Sequence, residues 1–445
     1  MPDLQLDVAI VGGGPAGLAC AYALTRAFKD IKVQVFERAK SYRECGAGIS
    51  LDINGLKSLQ AIDPILCEDF QRSVCTIQAG GRMTDKQGND QGRTQAQGMR
   101  TNAQRYMDDY GIKTGLIGWY EIIQKLYSAL PDGTVQFDHA FSSFSQDADS
   151  VCLQFPNHPD VHTRFLIAAD GYFSPIRQEV LADGPPQFAE TVMWRARFPW
   201  REDLGMPQGP GQVRGFRGEQ AMGLMYSMPD DVVVWALSVQ AERCSEAGVE
   251  YDAAEQSKSR SRRESSSVQN TSEGQGRHAA ERCMQVVRHC LPQLESIVQG
   301  TDASAIVEHG LFIRPGEAVA AQQESGWGKG RVTLIGDAAH PMRPTGQGLN
   351  TSFEDVAVLA SHLQDGGLTE QSLRSFEKER IPRVSAIAIQ EQARGLTSYG
   401  LSEAAKVMSD SEYEQFKSTW QPRPLRPQQA LAAVPAVASA GFQDL

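Results

Sequence analysis

A chain of 445 residues with 41% hydrophobic and 22% charged residues is longer than one ordinary core accommodates, which predicts a globular mixed α/β protein of two domains. Its net charge of -11 argues against a nucleic-acid partner, because phosphate binding needs a surplus of Lys and Arg on one face. Eight cysteines without a C-x-x-C pair and eight scattered histidines predict free thiols and no structural or catalytic metal.

Met1 is followed within six residues by a strand-like segment, leaving no room for a signal or transit sequence, and no apolar run approaches 18 residues. The expectation is a cytoplasmic protein without an integral membrane segment. Asp7 to Val11 reads as a strand, Pro15 to about Phe28 as a helix, and Lys32 to Phe36 as a second strand, which is a βαβ unit. Between strand and helix stands Gly12-Gly13-Gly14-Pro15-Ala16-Gly17. In this G-x-G-x-x-G, Gly12 permits the tight turn, Gly14 lets a pyrophosphate approach the backbone, and Gly17 lets helix and strand pack closely. The helix N-terminus then offers unpaired N–H groups to the phosphates. Glu37, twenty residues past Gly17, can accept both hydroxyl protons of an adenosine ribose and would repel a 2'-phosphate. The dinucleotide is therefore FAD or NAD rather than NADP.

Further along, Phe165 to Ile167 leads into Ala168-Ala169-Asp170-Gly171-Tyr172-Phe173-Ser174-Pro175-Ile176-Arg177, in which the Asp-Gly pair by itself is a common turn. Glu190 to Phe198 and Val232 to Gln240 read as strands of a second sheet. Trp194, Met222, Met225 and Trp235 are apolar candidates for a substrate pocket, with core packing as the alternative. Arg195 and Arg197 alternate with Trp194 and Ala196, so they either face solvent or clamp an acidic substrate. Residues 256–276 are Ser, Arg, Gln and Glu with almost no apolar side chain, the composition of a disordered insertion. Arg331 to Ile335 is a strand, followed by Gly336-Asp337-Ala338-Ala339-His340-Pro341 and Pro344-Thr345-Gly346-Gln347-Gly348-Leu349-Asn350. Small residues there let backbone lie against a flat ligand, Asp337 can accept from a sugar-like hydroxyl chain, and a helix opening at Gly348 aims its dipole at negative charge. A further helix, Leu373 to Ala393, contains Pro382 and is expected to kink there. The proline-rich stretch after Trp420 reads as irregular.

These three motifs, in this order, resemble the class A, single-component FAD monooxygenases that share the p-hydroxybenzoate hydroxylase fold. The resemblance extends to Gly46-Ala47-Gly48-Ile49, Trp327 to Arg331 and Arg380 to Arg383, and it covers the chain to about Ala393. It implies an α/β fold, with a Rossmann-like FAD-binding domain (1–70, 96–182 and 305–400) interleaved with a smaller mixed-sheet substrate domain (71–95 and 183–304). A C-terminal helix and irregular tail (401–445) follow. By the same resemblance Gly12, Gly14, Gly17 and Glu37 meet the ADP half of FAD, and Pro15, Ala16, Arg38 and Gly48 are further cofactor-binding residues. Asp170 serves both FAD and a passing nicotinamide, and Gly336 and Asp337 meet the ribityl and phosphate region. Gly346, Gly348, Leu349 and Asn350 meet the flavin ring. His340 is implied to be architectural, and no side chain is singled out as a catalytic acid or base. One departure stands out: Trp119 occupies the place where the family has an Arg, and Arg38 or Arg43 are the candidates to replace it.

The implied activity is oxygenation. NAD(P)H reduces FAD, dioxygen adds at flavin C4a, and the resulting hydroperoxide hydroxylates or epoxidises a small organic substrate of aromatic or isoprenoid type. No second glycine fingerprint follows a strand and opens a helix, so the nicotinamide would dock transiently. The competing readings are a flavin-dependent reductase or dehydrogenase on the same fold and a flavin-binding protein without turnover.

Overall fold

The computed structural model describes residues 5–43, 48–78, 82–84, 90–93, 101–206, 208–255, 273–398 and 408–430. The predicted βαβ unit is present as Leu6–Val11, Pro15–Ala27 and Val33–Phe36. The two strands pair in parallel, Val8 opposite Val33 and Val11 opposite Phe36. On its other edge Leu6–Val11 pairs in parallel with His158–Ala168, which in turn pairs in parallel with Val332–Leu334. All three chemical motifs therefore leave the carboxyl ends of adjacent parallel strands, the edge at which an open α/β sheet binds its ligands. The near-continuous apolar runs of these strands follow from burial on both faces. Val8, Ala9, Ile10, Leu166 and Val332 are all fully or almost fully buried beneath the helices Pro15–Ala27 and Gly348–Gly366.

The second sheet is mostly antiparallel, with strand order Val307–Ile313, Gln187–Pro199, Val232–Gln240, Ala221–Ser227, Val213–Arg217, Arg82–Thr84 and Asp90–Arg93. Its two faces differ sharply. Val192, Trp194, Ala196, Met225, Val233, Trp235 and Leu237 form one core with the helix Glu273–Cys290. The indole N–H groups there are satisfied, Trp194 donating to Glu308 and Trp235 to Thr301. Trp194, Met225 and Trp235 are thus packing residues that face away from the first sheet; of the four pocket candidates, only Met222 alternates to the opposite face. The intervening residues Met193, Arg195 and Arg197 also turn that way. On that side Tyr226, Met228 and Val234 pack against Leu116 of the first unit.

The helix Glu273–Cys290 begins four residues inside the stretch expected to be disordered, because its apolar face, Ala279, Cys283, Val286 and Val287, is buried against the sheet. Residues 256–272 lie outside the described residues. The helix Glu370–Ser398 runs on through Pro382 as one element. The missing proline amide frees the carbonyl of Lys378, which accepts from Gln323 Nε2 at 3.4 Å. The tail contributes the helix Asp410–Ser418, closed at its start by a Ser409 and Glu412 capping box. The seven described cysteines are free thiols, and no helix among the described residues is long and apolar enough to cross a membrane.

Candidate flavin site

Glycine geometry in the first turn separates folding from binding. Gly12 has φ +107°, and a Cβ built on it would lie 2.2 Å from the carbonyl oxygen of Ala169; one on Gly17 would lie 2.0 Å from that of Gly12. A Cβ on Gly14 meets no protein atom within 4 Å. Gly12 and Gly17 are held by protein packing, whereas the space before Gly14 is open to a ligand. The helix that follows has Gly14 as N-cap, Pro15 in its first turn and no side-chain cap, so its leading N–H groups and dipole face the same space. Neighbouring helices are capped, Ile53–Ile62 by Asp52 and Pro175–Leu181 by Ser174.

Glu37 closes this turn. Its Oε2 accepts from Gly13 N at 2.7 Å and its Oε1 from Ala39 N at 2.8 Å, which orients the carboxylate while leaving lone pairs for a diol. Arg38 lies in the field of Glu37 and Asp170, and burial lowers its pKa. Asp170 follows the strand His158–Ala168, and its Oδ1 is buried with no hydrogen-bond partner. Burial raises its pKa to about 6 against the opposing effect of the Ser174 hydroxyl and the Ile176 N–H.

The third motif lies against the first, since a Cβ on Gly336 would come within 3.1 Å of that of Ala16. Asp337 is also raised to about 6, by burial, with His340 opposing and Asp355 adding to the rise. Its carboxylate accepts no hydrogen bond among the described residues. His340 is buried and bonded through Nε2 to Asp355 Oδ2 at 2.6 Å, and the same oxygen accepts from Gly336 N at 2.8 Å. That contact ties His340 to the helix Gly348–Gly366. Gly346 has φ +107°, and Gly348 opens a 19-residue helix that again lacks a side-chain cap. The Asn350 side chain is committed to protein, accepting from Asp52 N at 2.9 Å and donating to the carbonyls of Ser50 and Gly346. Only its backbone remains to face a ligand. Gly48 sits at the seam with the second sheet, where its carbonyl accepts from the Tyr226 hydroxyl at 3.0 Å; Gly46 and Ala47 lie outside the described residues. Trp119 is the first residue of the helix Trp119–Ser128, beside Gly48, because Gly118 pairs with Gly48.

Two sets of residues carry the site without having been singled out for it. Arg177, almost fully buried, donates from Nη1 to the carbonyls of Ala338 and Ala339 and forms a two-pronged pair with Asp183, so the second motif holds the third. Arg380 donates to Glu354 Oε2 at 2.6 Å and Asp355 Oδ1 at 2.8 Å, with all three side chains fully buried, and Arg383 adds two bonds to Glu354. The i, i+3 spacing of the arginines and the adjacent acids is visible in the sequence, but nothing there says that they meet.

An open glycine turn, two helix N-termini without side-chain caps, a carboxylate with lone pairs to spare, a buried Asp170 oxygen without a partner and an Asp337 carboxylate that accepts no hydrogen bond among the described residues together match a dinucleotide that carries a polyhydroxyl chain, as FAD does. Comparison with known proteins agrees. Residues 215–391 match the model of an FAD binding domain, and residues 10–43 that of an NAD(P)-binding Rossmann-like domain. The 3-amino-4-hydroxybenzoate 2-monooxygenase PtnB3 of Streptomyces platensis is 26% identical over 87% of this chain and 87% of its own. The chloroplastic zeaxanthin epoxidase of Oryza sativa subsp. japonica is 26% identical over 90% of this chain and 55% of its own. Among solved structures, Klebsiella pneumoniae HpxO complexed with FAD and uric acid superposes with a TM-score of 0.68, at 20% identity, over 92% of each chain. The chain thus carries an FAD-binding domain, and the homologues it resembles over most of its length are FAD-dependent monooxygenases of class A.

Proposed function

We propose that this protein uses NAD(P)H and dioxygen to place one oxygen atom on a small aromatic substrate that bears a carboxylate, seated between the flavin turn and the second sheet. The observation that carries the carboxylate is the face of Gln187–Pro199. Trp194 and Ala196 are buried against the helix Glu273–Cys290, so Arg195 and Arg197 turn to the side on which Tyr226 reaches Gly48. Arg195 is close enough to Tyr226 to favour ionisation of its hydroxyl, although burial raises that pKa to about 12. Tyr226 therefore stays protonated at neutral pH, a hydrogen-bond donor to Gly48 and not a base.

Gly14, the N-terminus of Pro15–Ala27 and Glu37 would hold the ADP half of FAD, Asp337 the ribityl hydroxyls, and Gly346 to Asn350 the ring. Bound there, FAD supplies the hydride acceptance and oxygen activation that no side chain can perform. The N-terminus of Gly348–Gly366 would stabilise negative charge on the ring by its dipole. Apolar Met222, Leu224 and Val234 exclude water from the seat, and the arginines orient the acid.

The test is NAD(P)H consumption in air by the FAD-loaded protein with aromatic acids, their amides and isoprenoid olefins. Consumption stimulated by an acid but not its amide, with one oxygen atom from labelled dioxygen in the product, is the expected result. Arg195→Met and Arg197→Met should raise KM for the acid by roughly 30-fold or more with little change for neutral compounds. Stimulation by an olefin alone would replace the aromatic acid, and anaerobic turnover without oxygen insertion would make the protein a reductase.

A further inference from the structure

The C-terminal helix Asp410–Ser418 reaches back across the molecule to the flavin turn. Lys417, with its side chain 6% exposed, donates to Asp52 Oδ2 at 2.5 Å and to Glu414 Oε1 at 3.0 Å. The same Asp52 oxygen accepts from Gln347 Nε2 at 2.9 Å, and the Asp52 N–H is held by Asn350. Gln347 is the residue on which Gly348–Gly366 begins, and its Oε1 accepts from Asn54, which also donates to Glu354. The brace is fastened on both sides: Lys57 donates to the carbonyl of Ser418, Trp420 Nε1 to Ser58, and the Arg383 guanidinium lies over the Trp420 ring. Tyr106 donates to Glu414 at the far end.

We infer that Lys417 is a positioning residue of the flavin site: it holds the Asp52 carboxylate where Gln347 must meet it, and so sets the backbone of the turn Gly346 to Gly348 before FAD arrives. A carboxylate only 15% exposed and shared by a buried ammonium and a buried amide has one arrangement in which all three groups are satisfied. Removing the ammonium leaves Asp52 underpaired, and Gln347 loses its fixed acceptor. By linkage, a brace that favours the FAD-competent turn is itself favoured by FAD to the same degree. The inference rests on the flavin site described above, and FAD binding by the wild-type protein checks that site independently.

The experiment compares FAD dissociation constants, by flavin fluorescence, of the wild type, Lys417→Met, Lys417→Arg, Gln347→Leu and the Lys417→Met/Gln347→Leu double variant. Amide exchange of residues 410–418 is followed with and without FAD. Lys417→Met is expected to bind FAD about tenfold more weakly and to shift the visible flavin bands, with Lys417→Arg partly restoring both. The double variant should be little worse than Gln347→Leu alone, because the two act through one contact. FAD should slow exchange in 410–418 by a comparable factor. A folded Lys417→Met with wild-type FAD affinity and spectrum, or additive single effects, would overturn the inference. If Lys417→Met does not fold, the exchange measurement on the wild type decides, and unchanged exchange on adding FAD counts against the brace. A wild type that binds no FAD would instead remove the flavin site.

Discussion

Gly12 and Gly14 stand two positions apart in one turn, yet protein packing constrains only the first. Gly12→Ala forces a side chain into a left-handed conformation against the Ala169 carbonyl, so it should destabilise the apoprotein by more than about 3 kcal/mol in urea unfolding. Gly14→Ala can keep its φ of -74° and meets no protein atom. Its urea midpoint should stay close to the wild type while FAD binding weakens by roughly tenfold or more. Equal loss of stability in both variants would mean that the space before Gly14 is structural. The glycine spacing was legible in the sequence; the division of labour was not, because it depends on how near Ala169 comes from another strand.

Helices Gly348–Gly366 and Glu370–Ser398 are joined by the buried Glu354, Asp355, Arg380 and Arg383 cluster. Burial alone would raise both acids, but Arg383 and Arg380 outweigh it for Glu354, and His340 and Arg380 for Asp355, so both are held below the ordinary carboxylate range. Arg380→Met leaves two buried carboxylates short of a partner and should cost about 3–5 kcal/mol in denaturant unfolding. Because a depressed folded pKa adds stability above the unfolded value and loses it as pH falls through the folded one, the variant should also begin acid unfolding at a higher pH. A loss under about 1 kcal/mol, with the acid limb unmoved, would show that the cluster is replaceable. Within the second sheet, alternation correctly separated Trp194 from Arg195. It did not reveal which face turns toward Leu116 and Gly48, since that was settled by the helix Glu273–Cys290 covering the other one.

At the scale of the whole molecule the empty and loaded proteins should answer pH in opposite ways. Asp170 and Asp337 are raised to about 6, so each contributes stability that is complete below its ordinary value near 4 and lost as pH rises through about 6. The hydroxyl donors of FAD relieve that burial only when the carboxylates are ionised. FAD should therefore bind more tightly at pH 7 than at pH 5. Asp337→Asn should raise the Tm of the apoprotein at pH 7 by roughly 2–4 °C while weakening FAD binding and flattening its pH dependence. A Tm that falls, or an unchanged pH profile, would show that Asp337 is stabilised by protein and is not waiting for a ligand.

The βαβ unit, the acid after its second strand, the helix opening at Gly348 and the flavoprotein class were all legible in the sequence. Each of these is written in a few consecutive residues whose backbone geometry is local, so a short motif suffices. Packing across the chain settled that Arg177 would hold the Ala338 and Ala339 carbonyls 161 and 162 residues away, that Trp235 is core while Arg197 turns to the opposite face, and that Lys417 supports Asp52 across 365 residues. Those contacts join elements with no shared periodicity. They arise when buried charges must find partners once the apolar faces have packed.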